Sequence, residues 1–273
     1  MDATDDPRII RLGVEDAAAG LALSTEAHWN QNEDDWRFFL SDGVAFGIRD
    51  GAQLVATAAL LPYPGDNAWI SMVLVTASHR RRGLATRLVD ACLAMARERG
   101  LTSWLDATPD GAAVYGPLGF TPTLQLRRLK LVKSASASGQ APSSATLDAL
   151  RARDRRATGL DRTALLSNFA QRSGSRIVAA NGAIALVRDG RTARHIGPLL
   201  ADDAAAALTL VDAIARSETG PLLLDAVASQ PAFPEGLTAS GWIIERPFQR
   251  MRFGPAKTAG EDMPFAVAGP EFG

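Results

Sequence analysis

The run His79-Arg80-Arg81-Arg82-Gly83-Leu84-Ala85-Thr86 has the residue types and spacing of an anion site. It stands directly behind the apolar stretch Trp69-Ile70-Ser71-Met72-Val73-Leu74-Val75 and ahead of a segment with strong helical periodicity. Strand, basic turn and helix N-terminus then follow in order, so three guanidinium groups gather where the first amides of a helix have no intrahelical acceptor. Gly83 has no side chain to keep a ligand from the backbone. These features predict that an anion, a diphosphate in the first place, binds at Arg80 to Thr86. Neither a G-x-G-x-x-G fingerprint nor a G-x-x-x-x-G-K-[ST] phosphate loop occurs, which argues against NAD and nucleoside triphosphates.

The elements that must hold this turn can be read from periodicity. Arg8 to Leu12 reads as a strand, followed by helices from about Val14 and from Asp34 to Leu40. Val44 to Arg49 and Gln53 to Leu61 are β-like and joined across Asp50-Gly51, a hairpin signal. Trp69 to Val75 is apolar nearly throughout, as expected of a strand covered on both faces. From Gly83 to Arg99, apolar residues including Leu84, Leu88, Cys92 and Ala96 recur at helical spacing until Gly100 stops the pattern. A strand at Thr102 to Asp106, a short helix at Gly111 to Tyr115 and a strand at Arg127 to Val132 follow. Ser134 to Ser144 is small and polar, which is linker composition. The expected division is a domain over 1–133, a linker over 134–146 and a second domain over 147–273.

The chain of 273 residues is 47% hydrophobic with a formal charge of -1. That suffices for two cores and gives no general electrostatic reason to bind nucleic acid or an anionic membrane, so the arginine triplet is a local device. Cys92 is the single cysteine and sits on an apolar helix face, so no internal disulfide can form. No Cys/His cluster has metal-ligand spacing, and no metal is expected. Met1 to Asp6 is acidic and polar, and no apolar run approaches the roughly 20 residues that span a bilayer. A cytoplasmic protein is expected.

Arg80-Arg81-Arg82-Gly83-Leu84-Ala85 fits the pattern [Q/R]-x-x-G-x-[G/A], and Val114-Tyr115-Gly116-Pro117-Leu118-Gly119-Phe120 is similar to an L-Y-x-x-x-G-F ending at the right separation. On these residues, the stretch from 7 to 132 resembles the GCN5-related N-acetyltransferases (GNAT). The resemblance implies an α/β fold with a mixed, mostly antiparallel central sheet flanked by helices. It also implies acetyl-CoA as cosubstrate and transfer of its acetyl group to an amine, here that of a small-molecule or amino-acid-like acceptor. In that reading Arg80, Arg81, Arg82, Gly83, Leu84, Ala85 and Thr86 hold the pyrophosphate. The pantetheine arm pairs with splayed backbone at Val73, Leu74 and Val75, and an amide near Val73 or Leu74 polarises the thioester carbonyl. Tyr115 matches the family's tyrosine near the CoA sulfur. His28, Trp29 and Asn30 fall in the segment that walls the acceptor pocket, although for Trp29 and Asn30 taken singly a packed Trp and a helix-terminating Asn are the slightly better account.

An alkylamine of pKa about 10.4 must lose a proton before it attacks. Some family members carry a Glu on the strand equivalent to Trp69–Val75, but this strand has no carboxylate. Asp106, Glu26 and His28 are left as candidates, and Asp106 could instead cap the turn into Thr108-Pro109-Asp110-Gly111. A phenol near pKa 10 is a weaker acid than a thiol near about 8.5, so Tyr115 is expected to hydrogen-bond the leaving thiolate. No cysteine lies where an acyl group would be received, so direct transfer is expected. The alternative is a non-catalytic acyl-CoA sensor, which needs the same cradle and no acceptor pocket.

The second half echoes the first. Leu88-Val89-Asp90-Ala91 recurs as Leu210-Val211-Asp212-Ala213, Leu105-Asp106-Ala107 as Leu224-Asp225-Ala226, and Gly119-Phe120 as Gly241-Trp242, at nearly constant separation. At the offset of the first match, Arg80 falls on Asp202, Gly83 on Ala205 and Tyr115 on Leu237. The expectation is two GNAT-like domains in tandem, the second a degenerate copy without an anion site that covers the acceptor pocket or a homodimer surface. His195, next to Gly197-Pro198, has no evident partner.

Overall fold

The structure, a computed structural model, describes residues 8–132, 142–255, 260 and 264–273. The first half runs β1 (Ile9–Arg11), α1 (Ala17–Glu26), α2 (Glu33–Asp42), β2 (Val44–Asp50), β3 (Gln53–Tyr63), β4 (Asn67–Val75), α3 (Leu84–Glu98), β5 (Thr102–Ala107), α4 (Pro109–Tyr115) and β6 (Thr121–Leu131). The second runs β7 (Ser143–Ser144), α5 (Leu147–Thr158), α6 (Thr163–Gln171), β8 (Arg176–Ala180), β9 (Ala183–Arg188), β10 (Arg194–Ala201), α7 (Ala204–Ser217), β11 (Leu222–Val227), α8 (Ala232–Ala239) and β12 (Ile243–Phe253).

Local chemistry explains several boundaries. Asn32 caps α2 by accepting from the Asp35 amide at 3.1 Å, while Asp35 accepts from the Asn32 amide at 3.0 Å, a reciprocal capping box. Thr108 caps α4, with Pro109 at the first helical position where no amide is needed. In α3, Leu84, Leu88, Cys92 and Ala96 return to one buried face every four residues, which is the stripe that holds the helix on the sheet. The last strand of the first half begins at Thr121, earlier than the Arg127 start expected from its apolar pattern. Its leading residues are exposed yet held by pairing with β12.

The strands form one mixed sheet in the order β1-β2-β3-β4-β5-β12-β6-β11-β10-β9-β8-β7. All neighbours are antiparallel except β4 with β5 and β10 with β11. The two halves repeat the same order, but each lends its last strand to the other: β12 lies against β5, and β6 lies against β11. Of the expected linker, 134–141 lies outside the described residues, and Ser143–Ser144 adds to the far edge of the second half.

One core cluster joins the halves. Trp36 and Phe39 from α2, Phe169 from α6 and Phe272 near the C-terminus are all fully buried within it. Phe272 stacks on Phe39 at 4.8 Å between centroids and meets Phe169 edge-on at 4.9 Å. The tail carrying it is tied down by Tyr63, whose hydroxyl donates to the Phe272 carbonyl at 2.7 Å, and by the Trp69 indole, which donates to the Pro270 carbonyl at 3.1 Å. Arg162, paired with Asp154, donates to the carbonyl of Gly273. The C-terminal segment is therefore an interior element, and it carries residues into the centre of the molecule.

Candidate active site between the two halves

Strand β4 pairs with β5 only from Asn67 to Trp69, and beyond Trp69 the two strands have no ladder. Its pairing with β3 also shifts between Thr57 and Ala59, opposite Met72, which takes a left-handed backbone at φ 52° and whose carbonyl accepts from the Thr57 hydroxyl at 2.8 Å. A left-handed methionine is costly and persists where surrounding contacts impose it. The result is an opened strand edge from Val73 to Val75. Its C-terminal end meets the basic turn, and its other end borders a solvent-open cavity of about 90 Å³.

At the turn, Gly83 is left-handed at φ 75°, and a Cβ there would meet nothing within 4 Å. No side chain caps α3, and its first helical hydrogen bond is from Arg87 to the Gly83 carbonyl at 3.1 Å. The amides of Leu84, Ala85 and Thr86 thus lie at an uncapped helix N-terminus. Arg80 and Arg82 each spend one donor on the loop itself, to the Val75 and Ser78 carbonyls at 3.1 and 2.8 Å. Arg81 projects from left-handed backbone and is exposed. Glu26 closes the turn from the other side by accepting from the Ala77 amide and the Thr76 hydroxyl, both at 2.7 Å. Those two hydrogen bonds hold its pKa below the usual carboxylate value and make Glu26 an anchor of the loop.

Val73, Leu105, Thr108 and Tyr115 line the first-half side of the cavity. The Tyr115 hydroxyl makes no hydrogen bond among the described residues, and burial pushes its pKa up to about 12, with Cys92 beside it. It is therefore a protonated donor at neutral pH. Cys92 itself is fully buried in the core. The Ser71 hydroxyl, also on the cavity wall, has no hydrogen-bond partner among the described residues.

Asp106 reaches the same region but its side chain is sealed, at 0% exposure, with both oxygens accepting from Arg250 at 2.8 Å. Burial raises its pKa against the opposing pull of Arg250. Its geometry is that of a buried ion pair pinning β12 to β5, with both oxygens turned to Arg250. Trp29 lines the cavity, while His28 faces an adjoining basic pocket. Asn30 is consumed by the second half: its Oδ1 accepts from the Thr192 and Ala193 amides at 2.9 and 3.0 Å, and its Nδ2 donates to the Ala193 carbonyl at 2.9 Å. It clamps the halves together.

The far wall comes from residues that sequence reasoning did not single out: Arg128 on β6, Arg246 and Phe248 on β12, and Glu271 in the tail. Glu271 is the other cavity carboxylate, and the side chain of Gln31, also on the cavity wall, hydrogen-bonds to it. Its nearest cation, Arg188, stands at 3.8 Å, outside hydrogen-bond distance. Burial raises its pKa, and the pull of Arg188 is the main opposition. Gly269, at φ 137°, lets the tail turn so that this carboxyl packs back over it. A Cβ on Gly269 would stand 3.0 Å from the Glu271 Oε1. Behind Arg128 lies a closed network, in which Arg128 donates to both Asp225 oxygens at 2.8 and 2.9 Å and His195 Nε2 meets Asp225 at 3.0 Å. His195 thus has a buried partner that its sequence neighbours do not reveal.

The equivalent turn in the second half is built differently. The starts of α3 and α7 match Leu84 with Ala204, so Asp203, not Ala205, stands at the Gly83 position. Its side chain caps α7 by accepting from the Ala206 amide at 2.8 Å, and Asp202 beside it pairs with Arg153. A carboxylate on that helix end takes the interaction an anion would make.

Two family models match the chain, the acetyltransferase (GNAT) family over residues 15–120 and an acetyltransferase (GNAT) domain over residues 150–263. Over 260 residues it is 25% identical to the uncharacterized N-acetyltransferase YitH of Bacillus subtilis (strain 168), covering 89% of both proteins. Its fold is similar to that of a putative acetyltransferase from Pyrococcus horikoshii, with a TM-score of 0.82 at 19% identity over 100% of this chain and 98% of the other. It is also similar to a tandem GNAT protein from the clavulanic acid biosynthesis pathway, with a TM-score of 0.63 at 15% identity over 92% and 100%. The opened β4 edge, the Gly83 turn and the repeated half are thus features of a chain that belongs to the GNAT acetyltransferase superfamily and carries two of its domains in tandem.

Proposed function

We propose that the protein transfers the acetyl group of acetyl-CoA directly to the amine of a small molecule held in the cavity between its halves. The observation that carries this reading is a convergence. The opened edge of β4, the free Tyr115 hydroxyl and the Glu271 carboxyl border one cavity, and the Gly83 turn lies at the other end of the same edge.

Acetyl-CoA, when bound, supplies an acetyl thioester, and the residues present suit it. The uncapped amides of Leu84, Ala85 and Thr86 offer donors to a pyrophosphate, the α3 dipole favours its charge, and Arg80, Arg81 and Arg82 flank it. Backbone groups from Val73 to Val75 that no neighbouring strand of β5 uses can pair with the amides of a pantetheine arm. An amide at Val73 or Leu74 then polarises the thioester carbonyl.

The amine nitrogen bonds to the acetyl carbon as the carbon–sulfur bond breaks. Glu271, made more basic by burial, takes the proton the amine must lose, directly or through one water. Tyr115, kept protonated by its raised pKa, donates a hydrogen bond to the departing thiolate. An acyl-CoA sensor would need the cradle alone, and a cavity holding a carboxyl that no arginine holds at hydrogen-bond distance favours the enzyme. A panel of amines, amino acids, aminoglycosides and peptides, assayed for thiol release from acetyl-CoA, tests the reading. Acceptor-dependent release supports it, and acetyl-CoA binding without release for any acceptor would favour the sensor.

A further inference from the structure

Most of the buried and half-buried arginines around the cavity have carboxylate neighbours. Arg128 pairs with Asp225, Arg162 with Asp154, Arg172 with Asp35 and Arg250 with Asp106, while Arg188 lies 3.6 and 3.8 Å from Asp35 and Glu271. Arg246 has no carboxylate within 4.0 Å among the described residues, and its Nε is buried without a hydrogen-bond partner. Its guanidinium lies over the Phe248 ring, 5.5 Å from the centroid, and both residues line the cavity.

Burial and the neighbouring Arg128 push the Arg246 pKa down, the direction expected for a cation short of counter-charge; Glu245, Asp225 and Glu271 oppose this only at longer range. The adjoining pocket shares Arg128 and Arg246 and adds Lys130 and Arg191, with Glu245 as its acidic residue. A half-buried cation with an unused donor costs stability until an anion arrives, whereas a planar guanidinium binds a carboxylate through two charge-assisted hydrogen bonds.

We infer that the acceptor is an amino-acid-like molecule that carries a carboxylate besides its amine, and that this carboxylate pairs with Arg246. The inference rests on the acetyltransferase reading for which end of the molecule reacts. The amine then faces Glu271 and the opened β4 edge, and the carboxylate faces β12. Specificity is supplied by the second half, through the strand it exchanges into the first.

The test separates binding from turnover. N-acetyl derivatives of the common L-amino acids and the matching N-acetyl amino acid amides are titrated calorimetrically into the full chain, the Arg246→Gln variant and the Arg246→Lys variant. For at least one side chain the acid is expected to bind about tenfold or more tightly than its amide, equivalent to about 1.4 kcal/mol. Arg246→Gln should abolish that preference and Arg246→Lys should keep part of it. Equal affinity of acids and amides, no binding of either series, or a preference that survives Arg246→Gln overturns the assignment. In parallel, free amino acids and amino acid amides are assayed for thiol release from acetyl-CoA. Acid-selective binding without release defeats the transfer reading and leaves the anion site standing. Release with amides in preference to acids does the reverse.

Discussion

Glu271→Gln keeps the shape of the side chain and removes its capacity to take a proton. Its effect can be worked out because the other carboxylate on the cavity wall, Asp106, has both oxygens committed to Arg250. An amine of pKa about 10.4 is unprotonated in roughly one molecule in 2,500 at pH 7. Without Glu271 that fraction alone can react, so kcat/KM at pH 7 should fall by about 10²- to 10³-fold, within the span of a positioned general base. The deficit should then shrink by about tenfold for each pH unit toward 10, as solvent deprotonates the amine instead. The unsubstituted protein should hold its rate down to the pKa of Glu271, which burial sets above the usual carboxylate range, and lose it below. The assay is thiol release across pH with an identified acceptor, with thermal melting and acetyl-CoA titration of the variant as controls. A variant within about threefold of the parent at pH 7, or a deficit of the same size at about pH 7 and 9.5, would refute the assignment of the base.

Tyr115→Phe should lower turnover by about tenfold or more while acetyl-CoA affinity stays within about twofold; unchanged turnover would remove the hydroxyl from the reaction. Phe272→Ala empties the fully buried site between Phe39 and Phe169 and should cost about 3–5 kcal/mol in urea unfolding. A loss below about 1 kcal/mol would show that the tail does not hold the halves together. His195, whose pKa burial pushes down to about 4 from 6.5, stays neutral while the unfolded chain takes up a proton. Its contribution is therefore present above pH 6.5 and lost as the pH falls toward 4, by about 3 kcal/mol at most. Unfolding free energies measured across that window should fall in the parent and flatten in His195→Gln, and parallel slopes would contradict the linkage.

The turn from Arg80 to Thr86, the α3 stripe and the Asp50-Gly51 hairpin were legible because each is encoded by residues a few positions apart. Duplication was legible from short recurring words, and so was a change of residues at the second turn, although the fold moves its marker from Ala205 to Asp203. The exchange of β6 and β12 was not, because a strand's periodicity says which faces it buries and nothing about which neighbour it pairs with. That exchange hides the far wall of the cavity. Arg128, Arg246 and Glu271 are brought together by pairing across the whole length of the chain. Asp106 and Asn30 looked available for the same reason: their partners, Arg250 and the 191–193 turn, lie in the other half.

The central claim is one working acetyl-CoA cradle in a chain with two GNAT domains. Calorimetric titration of acetyl-CoA into the chain and into Gly83→Asp tests it most directly. Asp tolerates left-handed backbone better than most residues and finds open space there, so the variant should melt near the parent temperature while setting a carboxylate against the pyrophosphate. One molecule bound per chain, with affinity reduced about 100-fold or more in Gly83→Asp, is the predicted result. Two molecules bound per chain, or undiminished binding by a folded Gly83→Asp protein, would contradict the account.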